Sequence, residues 1–537
     1  MAKRMGITFF LLVLFIGALG LRILRIPMSA VAEHPGGGMR VTVDESRGAI
    51  YDRNGRRLVH VESKQYAAAK PTPAALQALA VVLGAGRLQA AQERMEKGGL
   101  LALPVDEAPP ACPDITLMEV FPRYGEEQLA PHLIGYLEGS GQGISGLEKS
   151  FDNLLAQNAG EAAVRIASDA LGRSLAGARP EVLRKNYCSA AGIKLTLDAD
   201  IQKIAEEAMA LHRVAQGAVV VLDAKSGEIL AMASEPRFDP KDVAASLHDP
   251  MEPFLNRALC AFPVGSTFKC FLAAAALEQN IPEGQCYLCA GEMNVNGQLF
   301  HCNKEGGHGL LNMGQALEQS CNLYFVQMAQ RLELQPVLDL VALFGFGQQT
   351  ELAPGLLSAK GNVPALESLG VPAECANFSF GQGTLLCTPL QMAAATACLA
   401  NGGVYHQPRL VQATVDAAGR ESAWIQDTET RQVVAPETAE ILRRMMVSTV
   451  EHGSGRSAKP ETGSAGGKTA TAQSGAFDAN GSEILQTGFS GFFPAENPRY
   501  VITVFRQNGS SGASDCGPVF QRIANAMTAQ GFYTIPQ

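Results

Sequence analysis

The sequence predicts an α+β protein carried outside the cytoplasm on an N-terminal helix, and three observations predict it. Strand-like runs, "GAVVVLDAKSGEILAMAS" and "RYVITVFRQ", stand at opposite ends of a long segment with helical patterning. A hairpin signal opens a separate β-rich region nearer the N-terminus. An unbroken apolar stretch begins at residue 5.

The apolar stretch, "MGITFFLLVLFIGALGL" at 5–21, follows Lys3 and Arg4 and runs on through Arg22 to "ILRIP". Its length is near the minimum for a spanning helix and exceeds a usual signal-peptide core. No small-x-small cleavage motif follows it convincingly. The reading is a cytoplasmic tail at 1–4, a transmembrane signal anchor at 5–24 and export of the remainder. A cleaved signal peptide ending near Ala30 or Ala32 is the alternative, and both place the bulk of the chain outside the cytoplasm.

Residues 25–190 read as an N-terminal pedestal, similar to a dimerisation domain. A Gly-rich linker at 31–40 leads into "RGAIYDRNGRRLV", where Asn54-Gly55 between short apolar runs predicts a type I′ hairpin. Residues 72–110 turn helical and rich in Ala and Leu. "SGQGISGLEKSFDNLLAQ" passes from a glycine loop into an amphipathic helix start. The pattern changes near 191. "IKLTLDADIQKIAEEAMALH" alternates as a strand and becomes helical after Asp198, an N-cap candidate. Two strands joined at Lys225-Ser226-Gly227 follow, helices dominate 266–400, and strands return in "GGKTATAQS", "TGFSGFFPA" and "RYVITVFRQ" before a closing helix near 518–528. One antiparallel sheet whose first and last strands meet in space accounts for this order over 191–537.

Composition excludes other classes. With 47% apolar and 18% charged residues the chain is globular rather than disordered. A length of 537 residues exceeds one ordinary core, so more than one domain is expected. The net charge of −9, with no basic block, gives no support to a nucleic-acid partner. Twelve cysteines are too scattered for a stapled mini-protein.

The chemistry centres on "FPVGSTFKCF". Ser266 and Lys269 share one side of the first turn of a helix that is apolar all round, so the lysine is drawn into low dielectric. Burial disfavours the ammonium, and an unprotonated Lys269 could take the proton of Ser266. From the tetrapeptide alone, a capping serine and a snorkelling lysine explain the pattern as simply. Two downstream elements strengthen the chemical reading. Ser320-Cys321-Asn322 breaks two helical runs, and Lys468-Thr469 follows a glycine pair on a strand able to accept an extended peptide. S-x-x-K with S-D-N and K-T-G is the signature of penicillin-binding proteins and class A β-lactamases, and the three elements stand here in that order.

With "RGAIYDRNGRRL", "SGLEKSFDNLL", "GEILAMASEPRFDP", "GHGLLNMGQALEQSCN", "FSFGQGTLLCTPLQMA" and "GFFPAENPRYVITV" in their running order, the sequence resembles a class B penicillin-binding protein, a monofunctional peptidoglycan D,D-transpeptidase. The resemblance implies a five-stranded antiparallel sheet flanked by helices over 191–537, in the fold shared by serine D,D-peptidases and β-lactamases. It implies that Ser266 attacks a D-Ala-D-Ala stem peptide, Lys269 is the base and Ser320 relays a proton. Asn322 would hold the substrate amide, Lys468 and Thr469 the terminal carboxylate, with Thr471 beside them. The backbone N–H groups of Ser266 and Thr471 would form the oxyanion hole. β-Lactams would be pseudo-substrates. A polytopic glycan polymerase and other cell-wall synthesis membrane proteins would be partners, contacted through the anchor and the stretch Arg47–Leu58. No cofactor and no catalytic metal are implied.

Two residues depart from the family pattern. Ala470 replaces the usual glycine, which would put a methyl where substrate approaches the strand closely, and Val264 stands where proline is frequent. In "CYLCAGEMNVNGQLFHCNKEGGHG", Cys286, Cys289, His301, Cys302 and His308 allow a zinc site, a disulfide or free thiols. The resemblance favours a Cys289–Cys302 disulfide. A β-lactam sensor or hydrolase of the same fold lacks an E-x-x-L-N type element here. A catalytically weak scaffold of the cell-wall machinery would not need the reactive residues of all three motifs.

Overall fold

The computed structural model describes residues 38–168, 180–424, 428–477 and 481–533. The anchor expected at 5–24 and its tail lie outside them. Among the described residues no helix is long and apolar enough to cross a membrane.

The chain divides into two units. The described part of the smaller comprises 38–45, Ser63–Phe121, 160–168 and 180–187. It holds an antiparallel sheet in which Lys64–Ala69 lies between Leu101–Pro104 and Ile115–Val120. Alternation along the central strand builds two cores. Ala67 and Ala69 pack with Leu79 and Met95 of the helices Pro73–Ala80 and Ala85–Glu96, while Ala68 packs with Val43, Val120 and Val164. The helical stretch expected over 72–110 ends early because Gly98 and Gly99 take left-handed φ of 76° and 99° and turn the chain into a strand.

The larger unit takes 46–62, 122–159 and everything from Cys188 onward, so the last passage between units falls near residue 188. Within it, Arg47 donates to Asp152 Oδ1 at 2.6 Å, and the Gly48 N–H donates to Leu155 O at 2.9 Å. The "RGAIYDRNG" and "SGLEKSFDNLL" segments thus hold each other. The expected type I′ hairpin at Asn54-Gly55 is not formed. Only Gly55 has positive φ, Tyr51–Arg57 is a single bridge, and Ala49–Tyr51 pairs instead in parallel with Gly192–Leu195. The buried Asp52 carboxylate accepts from the N–H groups of Asn54 and Arg56, both at 2.8 Å, closing the loop without a strand ladder.

Eleven elements carry the rest. They are α1 (Ala199–Leu211), β1 (Gly217–Asp223), β2 (Ile229–Glu235), α2 (Lys269–Glu278), α3 (Asn322–Ala329), α4 (Pro389–Ala400), α5 (Pro436–His452), β3 (Gly466–Phe477), β4 (Glu483–Phe493), β5 (Tyr500–Gly509) and α6 (Gly517–Ala529). Asp198 caps α1, accepting from the Asp200 and Ile201 N–H groups. The five strands form one antiparallel sheet in the order β2-β1-β5-β4-β3. First and last strands do meet: Val221 of β1 faces Ile502 of β5.

Both faces of this sheet are covered. Val219, Val221, Ile502 and Val504 pack on α1 and α6 through Ile204, Phe520 and Ile523. Val220, Leu222 and Val501 point the other way, into a core that includes α2 and α4. Double coverage explains why "GAVVVL" and "ILAMAS" read as continuous apolar runs rather than strict alternation. Among the described residues β3 is an edge strand, with no strand paired to one side of its backbone.

Candidate active site

Ser266 lies in a 3₁₀ turn, Gly265–Phe268, that runs into α2. Gly265 has φ +62°, and its N–H donates to Gly381 O at 2.8 Å. A Cβ on Gly381 would lie 2.0 Å from Gly265 O, so only glycine allows that approach. α2 is buried from Lys269 through Ala276, as its unbroken apolar face requires, and Lys269 itself has no exposed surface.

Lys269 Nζ sits 3.0 Å from Ser266 Oγ, 2.8 Å from Ser320 O, 2.6 Å from Asn322 Oδ1 and 3.3 Å from Ser320 Oγ. Burial, and next the neighbouring Lys468 charge, push its pKa well below the ordinary lysine range. A neutral amine has two N–H groups and one lone pair. The two oxygens that can only accept, Ser320 O and Asn322 Oδ1, take both N–H groups. The lone pair is left for the hydroxyl proton of Ser266.

Lys468 Nζ, also buried, donates to Ser320 Oγ at 2.9 Å and lies 3.3 Å from Thr469 Oγ1 and 3.4 Å from Ser454 Oγ. Burial lowers its pKa to about 8. Ser320 Oγ therefore links two buried lysines, both with lowered pKa values, Lys269 the more strongly. Ser320 has φ +54°, the left-handed region, at a cost of about 1–2 kcal/mol for a residue with a Cβ.

An open cleft of about 610 Å³ runs past these groups. Ser266, Ser320 and Asn322 line it, opposite Thr469, Thr471 and Gln473 on one face of β3. The structure brings together Ser266, Lys269, Ser320, Asn322, Lys468, Thr469 and Thr471. Ser454, in the turn after α5, joins them without any sequence signal beyond its flanking glycines.

Two sequence expectations are corrected. The methyl of Ala470 does not face the cleft. It points behind β3 toward Gly265, where an added Cβ would lie 3.3 Å from it, because residues 469, 471 and 473 occupy the other face of the strand. The expected Cys289–Cys302 disulfide is absent. Both are free, and Cys302 Sγ turns toward Cys321 Sγ, 3.7 Å away, and His308 Nδ1, 3.4 Å away. Cys286 and His301 are exposed and outside this group.

Residues 217–525 match the family model described as Penicillin binding protein transpeptidase domain. Among curated proteins, the chain is 33% identical to Stage V sporulation protein D of Bacillus subtilis over 70% of its own length and 58% of the relative's. It is 30% identical to Peptidoglycan D,D-transpeptidase MrdA of Acinetobacter baumannii, over 69% of this chain and 58% of that one. The match thus spans less than two thirds of these relatives. Among solved structures, penicillin binding protein 3 of Mycobacterium tuberculosis complexed with ampicillin superposes with a TM-score of 0.66 at 26% identity, covering 92% of this chain and 98% of that one.

Proposed function

The chain belongs to the penicillin-binding-protein transpeptidase family, among relatives of class B, and from that premise we propose that it is a serine D,D-transpeptidase that crosslinks peptidoglycan stem peptides and is acylated by β-lactams. One observation carries the reading. The buried amine of Lys269 lies 3.0 Å from Ser266 Oγ while two oxygens that can only accept, Ser320 O at 2.8 Å and Asn322 Oδ1 at 2.6 Å, engage its N–H groups. That is the arrangement of a base on its nucleophile.

Ser266 Oγ attacks the carbonyl of the penultimate D-alanine while its proton passes to Lys269. The N–H groups of Ser266 and Thr471 receive the oxyanion. Ser320, 3.3 Å from Lys269 Nζ and hydrogen-bonded to Lys468, gives its hydroxyl proton to the departing D-alanine amine and is reprotonated by Lys269, which is thereby returned to its neutral form, and Asn322 orients the peptide amide. The buried Lys468 acts from behind the strand, so the hydroxyls of Thr469 and Ser454 touch the terminal carboxylate and the ammonium supplies the charge. An amine from a second stem peptide then takes the acyl group. The unpaired edge of β3 supports binding of the donor peptide as an added strand. Anchoring through 5–24, with the catalytic unit outside the cytoplasm, belongs to the same proposal, as does a membrane-embedded glycan polymerase as partner.

Intact mass spectrometry after benzylpenicillin treatment tests this. One penicilloyl adduct on Ser266, lost in Ser266→Ala, is expected, together with D-alanine release from a pentapeptide in the presence of an acceptor amine. An unmodified protein, or rapid turnover of a chromogenic cephalosporin, counts against it.

A further inference from the structure

We propose that Gln473, held by Glu483, reads the part of the donor stem peptide that precedes the D-alanine pair, and selects there a side chain ending in a nitrogen hydrogen-bond donor, an amine or a carboxamide, over one ending in a carboxylate. The identity of the peptide rests on the transpeptidase reading above, whereas the preference rests on the geometry of β3 and β4.

Gln473 follows Thr469 and Thr471 on the face that β3 turns toward the cleft. A peptide added antiparallel to this edge advances about 3.3 Å per residue. With its terminal carboxylate at Thr469 and its reacting carbonyl at Thr471, the residue before the D-alanine pair falls beside 472–473, in reach of the Gln473 side chain.

Leu485 of β4 stands opposite Gln473, and the ladder is then irregular until Phe477 pairs with Glu483. The extra residues lie on β3, so β4 stays regular and Glu483, two residues from Leu485, shares its face as the diagonal neighbour of Gln473. The Glu483 carboxylate accepts from Gln473 Nε2 at 2.6 Å. Only the NH2 end of a carboxamide can face a carboxylate, so this bond fixes which way the group points. The remaining pole, Oε1, is an acceptor with a negative charge behind it.

The rest of the cleft fits. Among the described residues that line it none is Asp, Glu, Lys or Arg, and carboxamides recur at Gln298, Asn377 and Gln382. His301, which also lines it, has a carboxylate neighbour of its own in Glu292, at 3.9 Å. A substrate carboxylate beside Gln473 would face Oε1 and the Glu483 charge, while the Lys468 ammonium lies at the other end, by Thr469 and Ser454. An ammonium or a carboxamide NH2 would instead donate to Oε1.

The test measures binding of Nα-acetyl-X-D-Ala-D-Ala, with X as L-Gln, L-Glu, L-Lys or L-norleucine, to the full-chain Ser266→Ala protein at about pH 7 by calorimetry. Gln and Glu share a shape and Lys and norleucine a length, so each ratio isolates the terminal group. The L-Gln peptide is expected to bind about tenfold tighter than the L-Glu peptide, and the L-Lys peptide about fivefold tighter than the L-norleucine peptide. The same rankings should appear in kcat/KM for D-alanine release by the wild-type protein. The tighter of the L-Lys and L-Gln peptides identifies the source of the donor, a free amine or an amidated end. Glu483→Gln should bring the L-Gln to L-Glu ratio within about twofold at unchanged melting temperature, with most of the ratio kept in Glu483→Asp. A purely structural Glu483 would shift all four peptides together. Equal affinities within both pairs, an L-Glu peptide that binds tighter than L-Gln, or no binding of any of the four at millimolar concentration would overturn the assignment. Discrimination in binding without D-alanine release by the wild-type protein would count against the transpeptidase reading and leave the assignment standing, so the two failures are separable.

Discussion

Raising the pH from about 7 to 9 is expected to slow acylation, where an ordinary lysine base would accelerate it. Burial holds the Lys269 pKa well below the ordinary lysine range, so this base gains less from higher pH than an exposed lysine would. Lys468, with its pKa lowered to about 8, loses its proton across this range. The drop from 10.5 to about 8 corresponds to about 3 kcal/mol against the charged form. That penalty still leaves the ammonium dominant at pH 7, and about a tenth of it at pH 9. The second-order rate constant for a fluorescent penicillin should therefore fall about tenfold over the interval. A base with an ordinary lysine pKa would instead give a rise of about tenfold per unit. Lys468→Gln should lower the rate at neutral pH and flatten the alkaline limb. A rate that climbs toward about pH 10, or a limb that survives Lys468→Gln, refutes the reasoning. The loss should not reflect unfolding through Lys468. Its folded pKa is the lower one, so the unfolded state binds more protons between about 8 and 10.5, and the contribution of this group to stability rises with pH there. Thermal melting across the same buffers checks this.

Ala470→Gly is expected to change the acylation rate by less than about twofold and to cost about 0.5–1 kcal/mol in urea unfolding, since the methyl lies behind β3. A large acceleration would place it in the substrate path. Ser454→Ala should weaken acylation about 10- to 100-fold at unchanged melting temperature, the loss of one hydrogen bond to a charged group. Arg123→Ala should destabilise the larger unit by about 3–5 kcal/mol in urea unfolding. It strips the 2.7 Å partner from the fully buried Glu148, while acylation by the folded fraction should be unchanged.

Much of the architecture was legible because each element satisfied its local chemistry where it stood. The Asp198 cap, the runs of β1 and β2 and the all-apolar α2 announce themselves through periodicity. The Asn54-Gly55 hairpin misled because a buried carboxylate two residues earlier supplied the turn's acceptors. Ala470 misled because the strand's facing is set by pairing with β4, which motif spacing does not contain.

The sequence by itself determined the order of the motifs, the burial of Lys269 and the class of sheet, because these follow from residue type and short-range period. Only the tertiary structure decided which groups share a few ångströms. It set the amine of Lys468 against Ser320, brought in Ser454 from the end of α5, and gathered Cys289, Cys302, His308 and Cys321 from four separate points of the chain. The physical reason is that hydrogen bonds and coordination act over about 3 Å, and residues far apart in sequence reach that range only when long-range packing closes the loops between them.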